Sequence, residues 1–242
     1  MADDREDFLR SRQTNALEMA EDPEVRRLDL DLIAASDRHD WSYQWLWLGV
    51  PVIQMPTDLV VIQELIWANR PEIIVETGVA RGGSAIFHAS MLQLLGAGEV
   101  VAVDIDIRAH NRASIEEHPL ASRVTLLEGG STDEDVLATV RAKCDGKRTM
   151  VVLDSDHTHQ HVLEELRVYS PLVTPGQFLI VADTMIEEIP PQEHRPRHWG
   201  PGNNPMSAVR TFLQESDDFE VDEHANAKLL LTSSRGGYLR RR

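Results

Sequence analysis

The chain has 242 residues, of which 42% are hydrophobic, and a formal net charge of −16. This length and apolar content suffice for one large domain with a sizeable core. The negative charge disfavours nucleic acid and anionic membranes as partners, because both would be repelled. The single cysteine, Cys144, excludes an intramolecular disulfide and a zinc site built from several thiolates.

The apolar stretches fall well short of the roughly twenty residues that span a bilayer. The N-terminus, "MADDREDFLRSRQTN", is too acidic and polar for a signal peptide. We therefore expect a soluble, cytoplasmic protein whose partner is a small molecule.

Residues 1–40 are highly charged, and their apolar positions recur at mixed three- and four-residue spacings. This pattern predicts an N-terminal helical extension that lies outside the core. Three tryptophans and a tyrosine then crowd into "WSYQWLW", residues 41–47. We expect them to pack against the domain or a neighbouring subunit, with a ligand wall as the alternative.

From Pro71 onward, short β-branched runs alternate with stretches of helical composition: "EIIVETG", "EVVAVDID", "RVTLLEGG", "TMVVLDSD" and "QFLIVADT". Strands that alternate with helices predict an α/β fold with a mostly parallel, doubly wound sheet. The last segment predicts a helix and an antiparallel hairpin. Ligands of such sheets bind at the carboxyl ends of the strands, where candidate site residues are to be sought.

The first of these strands leads into "ETGVARGGSA", a loop rich in glycine that opens a helix. Its spacing does not match the dinucleotide fingerprint G-x-G-x-x-G, which disfavours a nicotinamide cofactor. The loop resembles motif I of the class I S-adenosylmethionine-dependent methyltransferases. This resemblance implies that Glu76, Gly78, Arg81 and Ser84 bind the cofactor, whereas a purely structural turn is the alternative.

The next two strands end in further candidate cofactor contacts. Asp104 ends "VAVDID", where a carboxylate could accept hydrogen bonds from both ribose hydroxyls of an adenosyl group. Ser131 follows "LLEGG"; related methyltransferases contact adenine at such a corner, although a helix N-cap explains the serine equally well.

The stretch "LDSDHTHQHV", residues 153–162, follows the fourth strand and carries two acids and three histidines. Neighbouring parallel strands lie about 4.8 Å apart, so Asp154 and Asp183, at the ends of two such strands, could share one hard cation. We expect His159 and His161 to be solvated on the following helix. A polar strand-to-helix turn is the alternative for the whole stretch.

The chain from about residue 41 resembles the cephalosporin hydroxylase-like family of methyltransferases, whose members include rhamnosyl O-methyltransferases. The motifs that carry the resemblance are "WLGVPVIQMPTDL", "ETGVARGGSA", "VLDSDHTHQHVLEEL", "SPLVTPGQFLIVADT", "GPGNNPMSAV" and "SSRGGYLRR". It implies a Rossmann-like methyltransferase domain over residues 41–242, S-adenosylmethionine, a Mg²⁺ ion and methylation of sugar hydroxyls. It further implies that His157, three residues after Asp154, is the catalytic base.

This chain departs from the family at one position of the expected metal site. Many relatives place Glu-Asp at the end of the fifth strand of the alternating series, whereas this chain has Ala182-Asp183. Thr184, Asp156 or water would then have to complete the metal shell.

A long segment rich in proline, residues 187–206, follows this strand. Loops of this length are commonly functional, so we predict a lid whose His198 and Trp199 contact the acceptor together with Asp156. A mobile surface loop with a packed Trp199 is the alternative. Gln54 and Met55, from an earlier segment, are predicted to cover the methionine end of the cofactor.

Together these features predict a Mg²⁺- and S-adenosylmethionine-dependent O-methyltransferase that acts on a deoxysugar hydroxyl, free as a nucleotide sugar or attached to an aglycone. The alternatives are a catechol-type or other phenolic O-methyltransferase, and a non-catalytic cofactor-binding accessory protein of a hydroxylase-type antibiotic pathway. We also expect a homo-oligomer, because the N-terminal extension and the aromatic segment have no obvious place inside one domain.

Overall fold

The structure is a computed structural model that describes residues 4–242, so the first three positions of the predicted extension lie outside it. The described strands are β1 (Trp45–Trp47), β2 (Val50–Val52), β3 (Ile73–Thr77), β4 (Glu99–Asp104), β5 (Val124–Glu128), β6 (Thr149–Leu153), β7 (Phe178–Val181), β8 (Phe219–Val221) and β9 (Tyr238–Arg241). The described α-helices are α1 (Asp4–Glu21), α2 (Pro23–Asp37), α3 (Pro56–Asn69), α4 (Gly83–Leu95), α5 (Ala109–Glu116), α6 (Glu134–Cys144), α7 (His159–Tyr169), α8 (Pro205–Glu215) and α9 (Glu223–Ala227).

Seven strands form the central sheet in the order β5–β4–β3–β6–β7–β9–β8, and β1 and β2 pair separately. Strands β3 to β7 run parallel, whereas β9 is antiparallel to both β7 and β8. The mostly parallel sheet and the C-terminal antiparallel hairpin are therefore confirmed. The hairpin is wider than a simple turn, because α9 lies between its two strands.

The two central strands are apolar over most of their length because helices cover both faces of the sheet. Every residue of β3 and β6 is buried. Successive side chains point to opposite faces, so Ile74 belongs to one apolar cluster and Val75 to the other. The strand order reverses between β3 and β6, which places the expected ligand crevice at their carboxyl ends.

The N-terminal extension divides into two helices that differ in burial. No residue of α1 is buried, and it exposes Phe8, Leu9 and Leu17. In α2, by contrast, Ile33 is only 1% exposed and packs with Met185 in an apolar cluster. Helix α2 therefore packs on segments beyond the boundary predicted at residue 40, and both that boundary and the predicted homo-oligomer stay predictions.

A buried carboxylate ties helix α3 to the C-terminal part of the chain. Asp58 accepts hydrogen bonds from the hydroxyls of Thr232 and Tyr238, at 2.5 and 2.7 Å, and from the backbone N–H of Ser233 at 2.8 Å. Burial raises the pKa of Asp58 in spite of these bonds. This network fixes the segment between α9 and β9 against helix α3.

The aromatic segment divides between packing against the domain and the wall of a cavity. Trp47 packs edge-on against Phe87 of α4, with ring centroids 4.9 Å apart, and its indole N–H donates to Ser90 Oγ at 3.0 Å. Trp41 and Tyr43 instead line the cavity described below. Within residues 4–242, no helix is long and apolar enough to cross a membrane.

The ends of β3 and β6 approach so closely that only glycine fits at position 78. Gly78 has φ +91°, and a Cβ atom there would lie 2.0 Å from the carbonyl oxygen of Asp154. Gly96 at the end of α4 has a similar φ of +79° but no heavy atom within 4 Å of the corresponding position. Both glycines therefore have a left-handed backbone, but only Gly78 lacks space for a side chain.

We predict that Gly78→Ala lowers the free energy of unfolding by more than Gly96→Ala does. Each substitution should cost about 1–2 kcal/mol for the left-handed backbone, and Gly78→Ala should cost more because the strand ends must separate. Urea unfolding of both variants measures the difference. Equal losses would contradict the close approach of β3 and β6.

Candidate active site

A cavity of about 750 Å³ opens at the carboxyl ends of the parallel strands. Its wall includes the glycine-rich loop after β3, the ends of β4 and β6, and Ser131 after β5. Residues of helix α2, of the aromatic segment and of the predicted lid after β7 also line it. The cavity therefore lies at the crevice that the strand order predicts, and its volume is typical of small-molecule sites.

Asp104 organises the glycine-rich loop. Its Oδ2 accepts from the N–H groups of Val79 and Ala80, at 2.8 and 3.1 Å, and its Oδ1 accepts from Asp106 N–H at 3.1 Å. An ionised carboxylate has about four lone-pair sites, so Asp104, which lines the cavity, can still accept from a ligand hydroxyl. Its position at the cavity wall agrees with the predicted cofactor contact.

Seven of the other predicted cofactor contacts also line the cavity: Gln54, Met55, Gly78, Arg81, Ser84, Ser131 and Asp154. Glu76 does not; it lies behind the wall and is 1% exposed. Its Oε1 is 3.7 Å from His88 Nε2, and its Oε2 has no hydrogen-bond partner among the described residues. Burying a carboxylate oxygen without a partner is costly, so Glu76 is a candidate for a contact that a ligand would complete.

Asp154, Asp183 and His157 meet at one end of the cavity. Asp154 Oδ2 accepts from Gln54 Nε2 at 2.9 Å, and Asp183 Oδ2 lies 3.4 Å from His157 Nε2. Burial, together with the negative charges of Asp183 and Glu76, raises the pKa of Asp154 well above its usual range. Two acids at neighbouring strand ends thus create a strongly negative potential at this end of the cavity.

Two residues proposed to complete the metal shell are engaged elsewhere. The buried Thr184 hydroxyl donates to the carbonyl oxygen of Arg235 at 2.7 Å, and Thr184 does not line the cavity. Asp156 lines it, but its Oδ1 accepts from the Thr158 N–H and hydroxyl, which shapes the turn before α7. Over the described chain, no group of three or more His, Cys, Asp or Glu side chains is placed to hold one metal ion.

The expectation that His161 is solvated is wrong. His161 lines the cavity, with its Nε2 3.2 Å from Ser131 Oγ and 3.1 Å from Ser155 Oγ. Its partner Glu165 is fully buried, with Oε1 3.5 Å from the same nitrogen. The helical phase was misjudged because α7 begins at His159 and turns His161 back toward the strand ends.

His159 differs from both neighbouring histidines. It is half-buried outside the cavity wall, and its Nδ1 lies 2.8 Å from Ser207 Oγ of α8. The side chain therefore contacts helix α8 rather than the candidate site.

The lid also differs in part from the prediction. Trp199 lines the cavity and packs edge-on against His157, with ring centroids 4.8 Å apart. His198 is exposed and lies outside the cavity wall, so its predicted contact with an acceptor is not supported. Arg195 and Arg197 line the cavity instead. Sequence reasoning missed them, although two arginines beside a tryptophan in so acidic a chain were a signal.

We predict that His161 contributes to stability in a pH-dependent way. The contact with Glu165 raises the pKa of His161 above 6.5, so the stabilisation is fully present below the unfolded pKa and is lost as pH rises through the folded value. In thermal unfolding, the difference in Tm between wild type and His161→Gln should therefore be larger at about pH 5.5 than at about pH 8.5. His224→Gln, on the exposed face of α9, is the matched control. A Tm difference between wild type and His161→Gln that grows with pH would contradict the ion pair.

Comparison with known proteins identifies relatives of this arrangement. The family model described as "Rhamnosyl O-methyltransferase/CmcI" matches residues 39–242. Rhamnosyl O-methyltransferases of Mycobacterium leprae and Mycobacterium tuberculosis are each 28% identical to the chain. The first match covers 86% of this chain and 90% of the relative, and the second covers 85% and 84%.

Solved structures show the same fold at lower identity. A structure of CmcI with Mg and SAM superposes with a TM-score of 0.58 at 19% identity, over 83% of this chain and 77% of the other. An O-methyltransferase from Bacillus cereus in complex with SAH superposes with a TM-score of 0.53 at 18% identity, over 79% of this chain and 81% of the other. With its class I methyltransferase sheet and a family match over most of its length, the chain belongs to the rhamnosyl O-methyltransferase/CmcI family of S-adenosylmethionine-dependent O-methyltransferases.

Proposed function

We propose that the enzyme methylates a hydroxyl of a sugar acceptor and that Mg²⁺ takes part. The observation that carries this proposal is the meeting of Asp154, Asp183 and His157 at one end of the cavity that the glycine-rich loop lines. The curated relatives are named for transfer to a rhamnosyl group, which supports a sugar as the acceptor.

The residues present fit S-adenosylmethionine. Asp104 and Ser131 lie at the cavity wall, where they could bind the ribose and the adenine. The unpartnered Oε2 of the buried Glu76 supports a cationic ligand group near the loop, as the ammonium of a methionine moiety would be. The free N–H groups at the start of α4 would favour the carboxylate of the same moiety.

The residues also fit Mg²⁺, although the set is small. Magnesium is usually held by one or two carboxylates and several waters, and Asp154 and Asp183 supply that number. A bound cation would offset the charge repulsion that raises the pKa of Asp154. When bound, Mg²⁺ would lower the pKa of an acceptor hydroxyl and orient it.

In this proposal His157 takes the proton from that hydroxyl. The Asp183 carboxylate near Nε2 would favour the proton on that nitrogen, which leaves Nδ1 to act as the base. The proton of the acceptor hydroxyl would pass to His157 while the hydroxyl oxygen forms a bond to the methyl carbon. The bond between that carbon and the sulfur of S-adenosylmethionine would break in the same step. The Trp199 ring packs edge-on against the imidazole and restricts its orientation.

We predict that His157→Ala lowers turnover by about 10²–10⁴, the usual range for loss of a general base. Affinity for S-adenosylhomocysteine should stay within about twofold, because His157 is not among the proposed cofactor contacts. Raising the pH should restore part of the rate, since hydroxide can take the proton. His159→Ala, two residues away but outside the cavity wall, should keep most of the activity; the reverse order of the two variants would contradict the assignment.

The acceptor class and the metal are tested together by assaying methyl transfer to a vicinal-diol deoxysugar and to a catechol, with and without chelator. We expect transfer to the sugar, loss of activity with EDTA and recovery with Mg²⁺. Asp154→Asn and Asp183→Asn should each weaken magnesium binding at least about tenfold in calorimetry, because each removes one charged ligand. Preference for the catechol, or activity that chelator leaves unchanged, would overturn the corresponding part of the proposal.

A further inference from the structure

The lid brings two arginines into the cavity, and Arg195 is fully engaged. Its guanidinium pairs with Asp40, lies 3.3 Å from Asp37 Oδ1 and stacks over the ring of Tyr43, 5.0 Å from the centroid. These contacts join the lid to the end of α2 and the aromatic segment. Arg195 therefore holds the lid in place.

Arg197 is placed differently. Its one ion pair among the described residues is a long one, 3.8 Å to Asp37 Oδ1, and no hydrogen bond of its guanidinium occurs there. The Asp37 carboxylate is already shared with Arg195 and with His194 Nε2 at 2.9 Å. Arg197 thus retains free donors although its side chain is only 18% exposed.

Trp199 fixes the position of Arg197 relative to the reacting groups. The Arg197 guanidinium carbon lies 4.7 Å from the Trp199 ring centroid, and the same ring packs against His157 at 4.8 Å. A sugar whose hydroxyl lies at His157 would extend along Trp199 toward Arg197. The guanidinium is therefore within reach of a substituent on the acceptor.

We propose that Arg197 binds an oxyanion of the acceptor, a carboxylate or a phosphate, so that the enzyme prefers an anionic sugar to a neutral one. This inference rests on the proposed function. A guanidinium offers a planar fork of donors that matches both groups. Asp154 and Asp183 repel anions beside His157, whereas Arg197, on the other side of the contact with Trp199, attracts them, so the charged substituent is directed to Arg197 and the hydroxyl to His157.

The experiment compares three acceptors that carry a vicinal diol: methyl rhamnoside, methyl glucuronoside and a nucleoside-diphosphate rhamnose. We expect wild-type enzyme to prefer one of the two anionic sugars in kcat/KM. Arg197→Gln should raise KM for that sugar about 10–100-fold, the scale of hydrogen bonds to a charged group, with kcat little changed. KM for methyl rhamnoside should not change, and Arg197→Lys should recover part of the loss.

Two further arginine variants distinguish anion binding from effects on the lid or on net charge. Arg195→Gln should lower kcat/KM for all three sugars alike, because it loosens the lid. Arg141→Gln, at an exposed position of α6 that pairs with Glu134, should change none of them. The carboxylate and phosphate sources are told apart by which anionic sugar responds to Arg197→Gln.

The outcomes separate this inference from the proposed function. Methylation of methyl rhamnoside that matches or exceeds that of both anionic sugars, or an equal effect of Arg197→Gln on all three, overturns the anion site and leaves sugar methylation intact. Calorimetry measures binding of the same sugars in the presence of Mg²⁺ and S-adenosylhomocysteine, independently of methyl transfer. Arg197-dependent binding of an anionic sugar without methyl transfer to any of the three would support the anion site and overturn the proposed function.

Discussion

The half-buried carboxylate of Asp154, at the cavity wall, is the constraint around which the rest of the site is arranged. It ends a strand that is buried on both faces, and its pKa is raised by burial and by the acids around it. The Gln54 amide supplies one hydrogen bond at 2.9 Å, which is too little to offset the loss of water around a charge. A bound cation would relieve this cost, which is the physical basis of the metal-assisted reaction that we propose.

The acids and the arginines of the cavity come from different kinds of segment. Acids lie at the strand ends, which belong to the rigid sheet, whereas the arginines lie on the lid, which has neither helix nor strand over residues 190–199. The lid is nevertheless anchored at its far end, since Glu187 accepts from the Gly202 N–H and from the Asn204 amide that caps α8. The cavity therefore combines acids fixed by the sheet with arginines held by side-chain contacts.

Much of the fold followed from local sequence because its signals are periodic. The β-branched runs from residue 71 onward, the glycine-rich loop and the acids at the strand ends each have a physical reason to occur where they do. The sequence could not reveal that Thr184 donates to the Arg235 carbonyl, or that α2 buries Ile33 against Met185. Those contacts join segments far apart in the chain, and tertiary packing rather than local pattern decides them.

The environments of the three histidines depend on the residue at which helix α7 begins, which the sequence did not predict correctly. His157, His159 and His161 lie within five positions, yet one contacts Asp183, one contacts helix α8, and one contacts the buried Glu165 beside the predicted adenine position. Each residue advances the helix by about 100°. A helix α7 that began two residues earlier would therefore point the three histidines in different directions. Spacing therefore identifies the chemistry available after β6, whereas the first residue of α7 determines which histidine performs it.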